Sequence, residues 1–154
     1  MKSVLHNVKW LSFVALALAA TAAPAFAQQP TAAGRIKVAS GSAFIVRAGA
    51  QVAARPGESI FESDVLRTGN DGRLGVTLKD DTRLSLGPAS EVRVDKFVYA
   101  PSEGNLALAL KVVRGVAAYV SGRIAKLSPD AVRLETPAAI VGVRGTTLVI
   151  KADE

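Results

Sequence analysis

Few side chains in this chain are suited to chemistry, and they are scattered. Asp64 stands alone before Val65-Leu66-Arg67, Asn70-Asp71 and Asp80-Asp81 flank one short apolar segment, and Arg144 lies between Val143 and Gly145. General acid–base catalysis needs two titratable groups held together in a cleft, and Asp64 has no such neighbour in sequence. The two Asp-containing turns offer oxygens that suit calcium, but they lack the alternating ligand spacing of a calcium loop, and turn chemistry accounts for them. The chain has no Cys, and its single His and single Trp are His6 and Trp10. Beyond residue 27 there is neither imidazole nor thiol. That removes Ser–His and Cys–His nucleophiles and nearly every transition-metal site. The expectation is therefore no catalytic residue, no metal ligand and no cofactor, and a protein that is not an enzyme.

The N-terminal stretch carries an address instead. Lys2 and Lys9 precede an apolar run rich in Leu and Ala, Pro24 breaks the run, and Ala25-Phe26-Ala27 puts small residues at the two positions that a signal peptidase reads. This is the pattern of a secretory signal peptide over residues 1–27, with cleavage before Gln28. The apolar run is at the lower limit for a spanning helix, so no membrane span is expected after processing, and the expected location is the periplasm. Lys2 and Lys9 leave with the signal, so 17 basic residues face 13 acidic ones and the charge is +4 rather than +6. The basic residues, among them Arg35, Lys37, Arg47, Arg55, Arg67 and Arg73, form no run. That argues against nucleic acid as a partner.

The rest of the chain reads as one domain. Residues 28–34 form a small, polar leader, and residues 35–152 an all-β domain. Short apolar alternations recur at intervals of about 8–10 residues, with Gly or Pro at nearly every corner. Ile36-Lys37-Val38 and Ala43 to Val46, either side of Ser40-Gly41-Ser42, predict a hairpin. Leu74, Val76 and Leu78, with Leu84 and Leu86 on the return, predict an antiparallel pair with one buried face. Leu106 to Val113 reads as a strand ending at Arg114-Gly115. Ser121 to Leu127 is the one plausible helical turn. Roughly ten or more short strands without a crossover helix point to a sandwich, a small barrel or a solenoid-like roll.

The C-terminal stretch has the clearest punctuation. Thr136-Pro137 forces an extended entry. Ala138 to Val143 is almost wholly apolar and is expected to be buried on both faces, with Gly142 allowing close approach or a bulge. Arg144-Gly145-Thr146 turns the corner, and a β-branched strand follows to Lys151.

These residues resemble the end signature of the FecR domain. The resemblance continues upstream in order. Gly57 followed by Asp64-Val65-Leu66-Arg67-Thr68-Gly69 is similar to the family's Gly-Asp-x-x-x-Thr-Gly segment. Asp80-Asp81-Thr82 with the strand to Leu86 is similar to its Asp-Gly-Ser turn, and Arg114-Gly115-Val116 to a late apolar-and-glycine pair. It runs from about Gly34 to Lys151. Ser63 and Asp81 stand where the family usually has Gly. The resemblance implies an extracytoplasmic all-β domain. The regulators that name the family also carry a cytoplasmic anti-sigma segment, a spanning helix and a receptor-facing domain. Only about ten residues precede the apolar run and three follow Lys151, so no sigma-factor contact is expected. The implied form is a free-standing exported domain.

Within the motif set Asp64, Thr68, Gly69, Thr136, Pro137, Gly142, Arg144, Gly145 and Thr146, the expected roles are structural. Asp64 is expected to cap a turn or pair with Arg67 or Arg144. Arg144 is expected to anchor its corner on backbone carbonyls and a carboxylate such as Glu135 or Asp64. The last strand is either an interior closing strand or an edge that pairs with a partner. The functional expectation is a non-enzymatic module that binds a protein or envelope partner in the periplasm, as part of a signalling or sensing system. The alternative is a cell-wall-associated structural module with no signalling role. Sequence leaves the oligomeric state open. Since Trp10 is the only Trp, material recovered after export should show no tryptophan emission; such emission would mean that the signal was retained.

Overall fold

The computed structural model describes residues 27–145 and 147–153. Ala25 and Thr146 lie outside the described residues; Ala27 and Gln28 are exposed and irregular. The described residues form twelve strands: β1 (Gly34–Ser40), β2 (Ala43–Arg47), β3 (Ala50–Ala53), β4 (Ser59–Ile60), β5 (Val65–Thr68), β6 (Arg73–Leu78), β7 (Arg83–Leu86), β8 (Glu91–Ala100), β9 (Asn105–Val120), β10 (Val132–Glu135), β11 (Ile140–Gly142) and β12 (Thr147–Ala152). Among the described residues the single α-helix, α1 (Arg123–Leu127), is one turn long. Among the described residues no helix is long and apolar enough to cross a membrane.

The strands form one sheet that curls back on itself, all-β as the sequence predicts. One half runs β3-β2-β5-β8-β9-β10-β11, and the other β4-β1-β6-β7-β9-β12. Pairing is antiparallel except between β9 and β10. The 16-residue β9 belongs to both halves. Its first part pairs with β8 and β10, and its last six residues with β7 and β12. Alternate residues of both halves meet in one core that includes Ile36, Ile45, Leu66, Leu84, Leu110 and Tyr119. Burial of each large aliphatic side chain there stabilises the fold by about 1.5–3 kcal/mol. The Tyr119 hydroxyl lies near Ser121 and Thr82 but bonds to neither, and burial pushes its pKa up.

Three local expectations need correction. β1 and β2 do not form a hairpin: β1 pairs with β4 and β6, and β2 with β3 and β5. The corner between them carries the chain from one half to the other, and it stacks on a later crossing, the corner between β5 and β6. Gly69 N–H donates to Ser42 O at 2.7 Å, and Ser42 N–H to Asp71 Oδ1 at 3.2 Å. Hydrogen bonds from Ser42 also hold the exposed Asp71 carboxyl below the usual carboxylate range. Second, β9 does not stop at Arg114-Gly115 but bends there. Third, Gly34 lies in β1 and Ala33 is buried, with its N–H on Ile60 O at 2.8 Å.

The bend in β9 is clasped by side chains. Gly115 has φ +81°, and a Cβ there would fall on the Ser90 hydroxyl and the Ala89 carbonyl. Only glycine meets both demands. Ser90 is fully buried; its Oγ accepts from Val116 N at 2.9 Å and reaches Pro88 O at 3.0 Å. Ser90 N–H donates to Thr68 Oγ1 at 2.9 Å, and Thr68 Oγ1 donates to Gly87 O at 2.7 Å. Thr68, on β5, therefore ties one half to the turn beside the bend. Ser90→Ala leaves part-buried backbone groups of Val116 and Pro88 without their partner, a loss of about 1 kcal/mol. Gly115→Ala should cost at least as much, because contact and φ are both violated. Denaturant unfolding of the two variants measures this, and midpoints equal to wild type would dismiss the clasp.

The two positions that depart from the family's glycine pattern both adopt left-handed backbone. Ser63 has φ +73° and Asp81 has φ +67°. A non-glycine residue is strained there, and Asp is tolerated better than Ser. Ser63→Gly should raise stability by about 0.5–1 kcal/mol. Asp81→Gly should gain less, since it also loses the 3.1 Å pair with Arg123. Calorimetry that shows Ser63→Gly melting below wild type would contradict this account.

Candidate functional site: the open C-terminal edge

Asp64 is buried, and its carboxylate is taken up internally. Arg47 grips it with both ends of a fork, Nε to Oδ1 at 2.8 Å and Nη2 to Oδ2 at 2.7 Å. Phe61 N–H adds a 2.8 Å bond to Oδ2. Arg47 stacks on the Phe61 ring at 4.6 Å and donates to Ser59 O at 3.0 Å. The Asp64 carboxylate holds the Arg47 pKa above its ordinary value. Asp64 thus caps its turn, but its cation is Arg47 rather than Arg67 or Arg144. Arg67 pairs with Glu91 at 3.0 Å instead. Asp80 is buried as well. Its carboxylate accepts from Thr82 Oγ1 at 2.7 Å and from Ile124 N at 3.2 Å, which seats α1 on the β6–β7 turn.

The C-terminal motif is built differently. Thr136 Oγ1 accepts from Ala139 N at 3.0 Å, and Thr136 N–H donates to Ala139 O at 2.8 Å. This closes a tight turn around Pro137 and makes β10–β11 a hairpin, with Leu134 opposite Val141. The apolar run beyond it is not buried on both faces. β11 pairs with β10 alone, so Ile140 is 67% exposed and Gly142 is exposed, while Val143 turns into the core. Nothing stands within 4 Å of where a Cβ of Gly142 would be, so neither close approach nor crowding requires glycine there. Gly145 O accepts from Ser121 Oγ.

Arg144 does not anchor the corner. It is exposed, and no ion pair or hydrogen bond joins it to Glu135, to Asp64 or to any other described residue. It stands between two shallow clefts of about 390 Å³ each. One lies toward Ala125, Lys126 and Pro129, and the other toward Arg133, Ile140 and Leu148. The last strand, β12, pairs with β9 alone and leaves its outer edge open. Ile140, Leu127 and Val149 are exposed large apolar residues near this end. Open strand edges recruit further strands unless they are covered.

The motif residues therefore fall into two sets. Asp64, Thr68 and Gly69 hold the corners where the chain changes halves. Thr136, Pro137, Gly142, Arg144 and Gly145 shape an exposed end. Sequence reasoning missed Arg47 and Ser90, whose partners are distant in the chain. A lone buried Asp in need of a cation was the only available hint for Arg47.

Clasped corners and open sheet edges, the edge of β12 among them, define an all-β module. A family model described as FecR protein matches residues 64–154, and the chain belongs to the FecR family. The match begins at Asp64, so β1 to β4 precede it, although the resemblance read from sequence begins near Gly34. The family is one of regulatory and signalling domains. Comparison with curated proteins and with solved structures gave no match.

The two arginines should behave oppositely on truncation. Arg47→Ala strands the buried Asp64 carboxylate and should cost about 1–3 kcal/mol, several degrees of melting temperature. Arg144→Ala should shift it by no more than about 2 °C. Thermal melts of both variants decide; a large drop for Arg144→Ala would restore the anchoring role.

Proposed function

We propose that this protein is an exported, non-enzymatic FecR module that binds a protein partner in the periplasm, within a signalling or sensing system. The observation that carries this reading is the open edge of β12 beside the exposed Arg144. An incoming strand pairs there through its backbone, and Arg144 and Ile140 supply a charged and an apolar contact. The Arg144 guanidinium selects a carboxylate on the partner. Supporting this, the carboxylates that a hydrolase would use are spent: Asp64 on Arg47 and Phe61, Asp80 on Thr82 and Ile124.

The test is affinity capture from a periplasmic extract with wild-type protein and with Arg144→Glu and Ile140→Asp. One or a few stoichiometric protein partners, retained by wild type and lost by both variants, is the expected result. Co-sedimentation with peptidoglycan and no protein partner would overturn it in favour of a cell-wall-associated structural module.

A further inference from the structure

The outer face of the β1-β6-β7-β9-β12 half has a composition that the core does not require. Cross-strand register aligns Val38, Gly75, Ser85, Ala118 and Val149 in one row across five strands. Val38 and Val149 are 58% and 70% exposed. Strict alternation from the buried Ile36 would turn Val38 inward. A bulge at Lys37 reverses this, placing Val38 opposite Gly75 on the outside. Bulges of this kind re-aim side chains, and here the side chain turned toward water is apolar.

Beside Val38 the face is concave. A recess of about 620 Å³ lies over Gly75 and Gly87, with Val38, Arg73, Pro88 and Val116 around it. Its lining is mainly apolar, and its floor lacks side chains at two glycines. Gly87 does not need to be glycine for its own sake: its φ is not left-handed, and a Cβ there would meet only ordinary contacts at 3.7 Å and beyond.

The charges around the row have one sign. Arg35 and Arg83 lie in the neighbouring row on one side, joined through Thr77. On the other side lie Arg73, which lines the recess together with Val116, and Lys151, which pairs with Val116. Among the described residues no acidic side chain occupies an outward position on these strands, and Arg35, Arg73 and Arg83 have no carboxylate partner. Lys151 alone is paired, with Asp153 at 3.0 Å.

We propose that this face docks an acidic protein segment that seats one apolar side chain in the recess beside Val38, with flanking carboxylates on Arg73 and Arg83. A second copy of the same face is excluded by like charge. The concave shape, and the lack of any aromatic side chain among the described outward residues, favour a protein side chain over a lipid surface, whose interfacial binders rely on aromatic residues. The recess is lined from β1, β6, β7 and β9 and by no residue of β12, so its occupancy is tested apart from strand pairing at the β12 edge and Arg144.

The test is an NMR titration of isotope-labelled protein expressed from the full sequence. The probe is a synthetic peptide of glutamates around one central phenylalanine. The amides of Gly75, Ser85, Gly87 and Ala118 should shift together. Arg73→Glu should weaken binding about tenfold, and Gly87→Leu, which fills the recess, should abolish it while the rest of the spectrum stays unchanged. Should Gly87→Leu fold poorly, Ser85→Glu at an exposed position delivers the same block by charge. Equal binding of a peptide with glycine in place of phenylalanine would overturn the proposal, as would binding indifferent to both blocking substitutions. Tighter binding to phosphatidylglycerol vesicles than to the peptide would overturn it in favour of a membrane surface.

Discussion

The fold depends on a single bend. β9 can serve two halves only because Gly115 takes a left-handed conformation against the Ser90 hydroxyl. The same hydroxyl satisfies the backbone of Val116, and the Ser90 backbone is held in turn by Thr68. Three residues from three separate segments thus converge on the point where the sheet changes direction. Inserting any side chain at Gly115 would push β9 away from Ser90 and part the two halves of the core. Ser90 and Thr68 are buried, and the hydroxyl of each is partnered, which is the condition under which a polar network specifies one arrangement rather than weakening it.

A second constraint follows from chain crossings. The corners at Ser40–Ser42 and Gly69–Gly72 each carry the chain between halves, and they are bonded to each other. Asp64 and Asp80 occupy similar positions, each buried and each bonded to backbone N–H groups across a turn. The acidic residues that first suggest chemistry are thus construction elements. Arg35, Arg73, Arg83 and Arg144 are left without a carboxylate partner among the described residues, and recognition of carboxylates is what such groups do well.

Much of the architecture was legible in sequence because period-2 alternation speaks for itself: the β6–β7 pair, the extended reading of Leu106 to Val113 and the short helical turn near Ile124 all appear. What failed were pairings. Apolar runs on either side of Ser40-Gly41-Ser42 look like a hairpin, yet nothing local tells a turn-back from a crossing. Arg114-Gly115 looks like a break, because alternation does not reveal whether a glycine ends a strand or bends it. The apolar run before Arg144 looks buried because hydropathy does not record that a strand has only one neighbour. Arg47 finds Asp64 across 17 residues, a distance at which sequence spacing carries no signal. Val38 is the subtlest case: period-2 alternation from Ile36 would put it on the core face, and one inserted residue moves it to the opposite one.

The sharing of β9 also sets an order of events. The first hundred residues contain β1 to β8, yet β5–β8 and β6–β7 remain unclosed ribbons until residues 105–120 arrive to join them. Loop closure over such separations is slow, and non-local pairing reports it as a low folding rate. A chain emerging N-terminus first therefore stays loose until most of its length has been delivered. Such a chain remains threadable through a narrow channel, and it becomes compact only when its central strand is released.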